Sequence, residues 1–253
     1  MMFQIAATTS FSIDKNKKCS FPNLPDQLRY LNNEQTYNPN LNYANEYIDI
    51  FKNISFEPII GNPKIISFPF HYEDKNLNDD TILVDGFFQS EKYFLKHRKE
   101  ILDLFNFESV CDEYVNKMYD YKNFKTTSIH VRRGDYLKYP NHHPSQSIDY
   151  YKKAVEILKN ATDLFLIFSD DIEWCKNNLN FINPIYIENE KDYNELYLMS
   201  LCDNNIISNS SFSWWGAWLN KNKDKKVIGP SVWFGNAIRE KTDDIIPEDW
   251  IKI

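Results

Sequence analysis

Glycine is scarce: six occur in 253 residues, and none belongs to a G-x-G-x-x-G or G-x-x-x-x-G-K-[ST] run. The chain therefore carries neither a dinucleotide fingerprint nor a P-loop. Cysteine is nearly as sparse. Cys19, Cys111, Cys175 and Cys202 stand far apart with no C-x-x-C pair, a pattern of reduced thiols in a cytoplasmic protein rather than of a zinc or disulfide framework. No apolar run is long enough to span a bilayer, and no basic n-region leads into an apolar h-region. Positive charge is in deficit too. A formal net charge of −7 repels phosphate backbones, which argues against a nucleic-acid partner. An anionic ligand must then be held by a local cluster of cations and N–H groups. Asn53, Asn160 and Asn209 open N-x-S/T sequons, which arise readily by chance in an Asn-rich chain.

What is present divides by texture at about residue 124. Residues 1–124 are irregular. "NEQTYNPNLNYANEYIDIFKN" reads as loop running into a short helix, whereas "MFQIAATTSF" places Phe3, Ala6, Ala7 and Ser10 at helical spacing. Ile82 to Val84 read as a buried strand, and a helix is expected from about Ser90 with Tyr93, Phe94, Ile101 and Phe105 as its stripe. Residues 125–253 alternate regularly between apolar strands ("TTSIHV", "LFLIF", "PIYIE", "NNIIS", "KKVIG") and amphipathic helices, with Ser147 capping the first of these. The fold class expected is α/β, with a parallel sheet covered on both faces in the C-terminal half.

Each strand of that half ends in polar residues: Arg132–Arg133–Gly134–Asp135, Ser169–Asp170–Asp171, Glu188–Asn189, Asn209–Ser210–Ser211 and Gly229–Pro230–Ser231. The carboxyl ends of parallel strands line one edge, so the five clusters should converge on one ligand-binding rim. If the strand geometry persists through them, Arg132 and Arg133 face opposite sides. One guanidinium fork can then grip phosphate oxygens while the other packs or pairs within the protein, with Asp135 as a candidate partner; a plain surface Arg–Asp pair is the alternative reading. "SNSSFSWWGAWL" puts a run of serines at a helix start, where hydroxyls and free N–H groups suit an anion. Trp214, Trp215 and Trp218 read as core. Asp171 reads as a helix cap, and "NHHP" as an exposed loop without metal-ligand spacing.

"HVRRGDY", "FSDD" and "SNSSFSWWGAWL", preceded by "DGFFQSEKYF", together resemble the α-1,2-fucosyltransferases of glycosyltransferase family 11, in the same order from about Leu83 to Phe234. The resemblance implies a GT-B-like architecture of two Rossmann-like halves, 1–124 on the acceptor side and 125–253 binding the GDP-sugar. It implies inverting transfer of L-fucose from GDP-fucose to the 2-hydroxyl of a galactoside glycan, with no metal and no cofactor. A degenerate sugar-nucleotide or glycan binder, or transfer of another nucleotide-linked sugar, is the alternative. Peripheral membrane association would come through the acceptor. By matching position, Arg132 is implied on the donor pyrophosphate, with His130, Arg133 and Asp135 shaping the pocket. Asp170 would hold the nucleoside, and Asn209, Ser210, Ser211, Phe212 and Ser213 would cradle the phosphates. For the general base, Asp135 competes with His143 and with carboxylates of the first half. The family's opening "GGLGNQMFQYA" is met here only by Met2, Phe3 and Gln4, so the first half is expected to lack its first strand and glycine turn.

Overall fold

The computed structural model describes residues 1–26, 49–105, 107–118 and 123–253. Most of the Asn- and Tyr-rich stretch from Asn33 lies outside the described residues. Contacts divide the chain into two compact units, 1–110 with 243–245 and 111–242 with 246–253.

In the first unit, α1 (Met2–Asp14) buries Phe3, Ile5, Ala6, Ala7 and Ser10, a stripe that includes the residues expected from spacing. Strands β1 (Lys64–Ser67) and β2 (Ile82–Asp85) pair in parallel from Lys64↔Ile82 to Ser67↔Asp85. The helix expected after Ser90 is broken. Two 3-10 turns, Glu91–Tyr93 and Leu95–His97, precede a regular α2 (Arg98–Leu104). The Tyr93 ring meets Phe11, Phe68, Tyr72 and Phe88 edge-on or tilted at 4.8–5.9 Å. Its hydroxyl donates to the His71 carbonyl and accepts from the Glu73 N–H, both at 3.0 Å. Aromatic packing here overrides a continuous backbone ladder.

The second unit takes in most of α3 (Phe107–Met118) and then alternates strand and helix. Its elements are β3 (Thr126–Val131), α4 (Ile148–Leu158), β4 (Leu164–Ser169), α5 (Ile172–Asn178), β5 (Pro184–Tyr186), α6 (Asp192–Leu201), β6 (Asn204–Ile206), α7 (Ser211–Leu219), β7 (Val227–Gly229) and β8 (Ile251–Lys252). All pairings are parallel, in the order β5-β4-β3-β6-β7-β8. Counted from β3 this is the order 3-2-1-4-5-6 of a doubly wound sheet. The expected α/β class with a parallel sheet in the C-terminal half is therefore what the chain adopts. "KKVIG" is expected from sequence to be the last strand. In the structure β8 follows it, two residues long and too short to carry a periodic signal.

Burial explains the order. β3 is buried at all six positions and β4 at its four central ones, as strands covered on both faces must be. Ile129, Val131, Phe165, Ile167, Ile206 and Ile228 pack with Tyr151, Ala154 and Leu158 of α4 and with Cys175 of α5. Helices α6 and α7 pack on each other at Gly216, where a Cβ would stand 2.9 Å from that of Met199. Trp214, Trp215 and Trp218 are at most 2% exposed; they are core, as their spacing suggests.

Candidate active site

The chain leaves β3 toward β4 on one side and returns from β5 to β6 on the other side of β3. The carboxyl ends of β3 and β6 therefore flank the topological switch point, where open α/β sheets bind ligands. The loop Arg132–Asp135 lies on one flank and Ser208–Ser213 on the other. Direct contacts join them. His130 Nδ1 and Ser208 Oγ are 2.9 Å apart, and the Tyr136 hydroxyl donates to the Asn209 carbonyl at 2.9 Å.

The two arginines diverge, although both lie past the end of β3, in the loop and not in the strand. Arg132 meets Asp135 Oδ1 through Nη2 at 2.7 Å and Asp170 Oδ2 through Nη1 at 3.1 Å. Arg133 turns the other way: its Nε donates to Asp171 Oδ2 at 2.9 Å, and its guanidinium sits 4.2 Å from the Trp174 ring centroid. Asp171 also caps α5 by accepting from the Trp174 N–H. Asp170 braces the loop, accepting from the Arg133 backbone N–H at 2.9 Å through Oδ1. Gly134 permits this closeness, because a Cβ there would lie 2.6 Å from Asp170 Oδ2.

On the β6 side the cluster separates into buried and presented members. Ser210 caps α7 by accepting from the Phe212 N–H, and Ser213 Oγ donates back to the Ser210 carbonyl. Asn209 is 2% exposed, its amide nitrogen donating to the Trp233 carbonyl and its oxygen accepting from Gln146, both at 2.9 Å. Its sequon is therefore closed to glycosylation in the folded chain. Ser211 is exposed and Phe212 half-buried, so these two side chains face outward at the helix start.

Electrostatics sharpen the picture. Burial, helped by the Arg132 charge, pushes His130 down to about 3, so its imidazole is neutral. Burial foremost pushes the Tyr136 phenol up to about 12. Glu195, in the first turn of α6, is absent from the set of residues read from sequence. Burial first, then the charges of Asp192, Glu190 and Asp170, push its carboxyl up to about 8. It makes no hydrogen bond or ion pair with another described side chain. A lone glutamate in the first turn of a helix reads from sequence as a solvated side chain; here its neighbours from Tyr193 to Met199 are buried, and only the fold brings it near Asp170.

Among the described residues, no group of three or more His, Cys, Asp or Glu could hold a metal ion, and no helix is long and apolar enough to cross a membrane. A hollow of about 430 Å³ lies at the opposite edge of the sheet, lined in part by Thr126, Leu166, Leu198 and Leu201, but it lacks the paired arginines.

The profile of Glycosyl transferase family 11 matches residues 64–253. The chain belongs to glycosyltransferase family 11. It is 36% identical over 182 residues to the O-antigen biosynthesis glycosyltransferase WbnK of Escherichia coli, covering 66% of this chain and 59% of that protein. An alpha-1,2-colitosyltransferase of Escherichia coli is 36% identical over 181 residues, covering 66% of this chain and 61% of its own. A galactoside 2-alpha-L-fucosyltransferase of Caenorhabditis elegans is 25% identical over 192 residues, covering 68% and 53%. The family 11 chain thus spans about three fifths of the length of the two bacterial relatives. A crystal structure of POFUT1 in complex with GDP superposes with a TM-score of 0.38 at 12% identity, covering 57% of this chain and 54% of that one.

Proposed function

We propose that the protein is an inverting glycosyltransferase that moves L-fucose from GDP-fucose to the 2-hydroxyl of a galactose-containing glycan. The observation that carries this reading is the placement of the Arg132 loop and the Ser210–Phe212 helix start on the two flanks of the switch point, in a chain of family 11. A guanidinium fork and a helix N-terminus facing one crevice suit a diphosphate. In this reading Arg132 takes the donor pyrophosphate and stabilises the charge that grows as the sugar–oxygen bond breaks, a role that needs no metal. Asp135 and Asp170 hold the fork in place beforehand. Arg133 keeps the loop anchored on Trp174 and Asp171. Ser211 and Phe212 border the phosphates from α7, while His130, Ser210, Asn209 and Ser213 shape the wall from behind. Asp170 and the neutral carboxyl of Glu195 stand where a nucleoside would extend along the rim.

The first unit would present the acceptor. A colitosyl donor is the second reading, favoured by the 36% identity to the colitosyltransferase against 25% to the nematode fucosyltransferase. Purified protein is offered GDP-fucose or GDP-colitose with a panel of galactosides, and GDP release and glycan product are both measured. Transfer of fucose to a galactoside 2-hydroxyl is expected. Preference for GDP-colitose selects the second reading. A donor-induced rise in melting temperature with no turnover identifies a binder instead.

A further inference from the structure

The proton on the acceptor hydroxyl needs a destination, and the fold bears on which side chain can take it. Asp135 has one carboxylate oxygen occupied by Arg132 at 2.7 Å and is largely exposed. The loop that continues from it turns back over the rim and presents His143. That imidazole stacks on the Tyr136 ring, centroids 5.0 Å apart and planes 24° from parallel, with the Phe234 ring edge-on at 5.5 Å. Its backbone is pinned on both sides. The His143 N–H donates to the Tyr139 carbonyl, the Gly235 N–H to the His142 carbonyl and the Ala237 N–H to the Asn141 carbonyl, each at 2.9 Å. Gly235 has no room for a side chain, since a Cβ there would fall 2.3 Å from the Asn141 oxygen.

We propose that His143, through Nε2, accepts the proton of the attacking acceptor hydroxyl. This rests on the transferase reading above. Nδ1 of His143 is buried and has no hydrogen-bond partner among the described residues, which leaves Nε2 as the nitrogen able to exchange a proton outside. Arg132 lies 5.6 Å from the centroid of the same Tyr136 ring, so guanidinium and imidazole are separated by at most about 11 Å. An in-line transfer asks for a spacing of the order of 10 Å, made up of a charge-assisted contact to phosphate, the sugar carbon, a near-attack approach and a hydrogen bond to the base, and this upper limit leaves room for it. The groups facing His143 set its protonation. Burial and the neighbouring His142 lower its pKa, Asp135 raises it, and the net direction is down. Neutral imidazole is thus the form at pH 7, as a base requires. In the step, the hydroxyl oxygen bonds to C1 from the face opposite the diphosphate. The C1–O bond breaks with its electron pair going to the β-phosphate, and the hydroxyl proton passes to Nε2. The imidazolium then returns it to water.

The test uses the full chain with GDP-fucose and an accepted galactoside. His143→Gln and His143→Ala should lower the transfer rate by about a hundredfold to ten-thousandfold, while the rise in melting temperature caused by GDP is unchanged. The wild-type rate should fall on the acid side with an apparent pKa below that of free histidine, a limb the variants lose, and free imidazole should restore part of the His143→Ala rate. Variant rates within threefold of wild type, or an acid limb that survives His143→Gln, overturn the proposal. The wild-type profile needs no variant, so a misfolded substitution leaves the acid limb to decide. Absence of any GDP-induced shift in the wild type overturns the donor reading itself, a result distinct from either.

Discussion

The two parallel sheets of this chain are held in opposite ways. In the second unit, β3 and β4 are sealed in the interior, and α4 on the connection between them supplies Tyr151, Ala154 and Leu158 to the core. In the first, β1 and β2 are paired at Ile65↔Leu83, yet those two side chains are 64% and 41% exposed. Order there comes from rings off the strands, with Phe11, Phe68, Phe88 and Tyr93 in mutual contact at 5.1–6.0 Å. A sheet that supplies its own core can carry a rim whose side chains are fixed in direction. A sheet that borrows its core from residues outside its strands leaves its strand faces free to vary.

The contrast can be broken first at its strongest point. Trp214→Ala, inside the second unit, should cost about 3–5 kcal/mol in urea unfolding. Arg132→Ala should leave that unfolding curve nearly in place but lower transfer about a hundredfold to a thousandfold. Arg132→Lys should rescue little of the loss, since an ammonium cannot bridge two phosphate oxygens.

That the second unit is more readable from sequence than the first, where α1 and β2 are foreseen but the segment after Ser90 is not, has a physical cause. Strands bounded by polar clusters stand out by their β-branched and apolar residues, and "TTSIHV" coincides with β3 residue for residue, although Thr126, Thr127, Ser128 and His130 are buried polar side chains. Helix caps are local as well, so Ser147 and Asp171 are visible from their neighbours alone. The helix expected after Ser90 fails because its aromatic residues answer to Phe11 and Phe68, which are remote in sequence. Of the rim, the residue types are legible but their directions are not. Nothing local says that Asn209 turns inward to Trp233 and Gln146, or that Glu195 is carried by α6 into the field of Asp170.

Smaller effects sharpen the comparison. Gly134→Ala forces Asp170 away from the arginine loop and should cost about 1–3 kcal/mol, with transfer falling alongside. Glu195 tests the rim through pH. Its folded carboxyl titrates near 8, above the ordinary glutamate range, so the folded state holds a proton that the unfolded chain releases. Stability should therefore decline as pH rises from the ordinary glutamate range through about 8. Glu195→Gln should flatten that decline when melting temperature is followed across the interval. Smallest of all, Leu83→Thr on the exposed face of β2 should move stability by no more than about 0.5 kcal/mol, and a larger loss would mean that this face is covered in solution.

The ion pairs at the rim also have a consequence for how a diphosphate would be held. Arg132 and Arg133 are matched against Asp135, Asp170 and Asp171, so the cluster as a whole is not a reservoir of positive charge. An incoming diphosphate would exchange one set of oxygens around Arg132 for another instead of filling a positive well. Affinity built by exchange depends on the direction of N–H bonds more than on long-range attraction, and should vary little with ionic strength. It also leaves the carboxylates at hand to reclaim the guanidinium when the spent nucleotide departs.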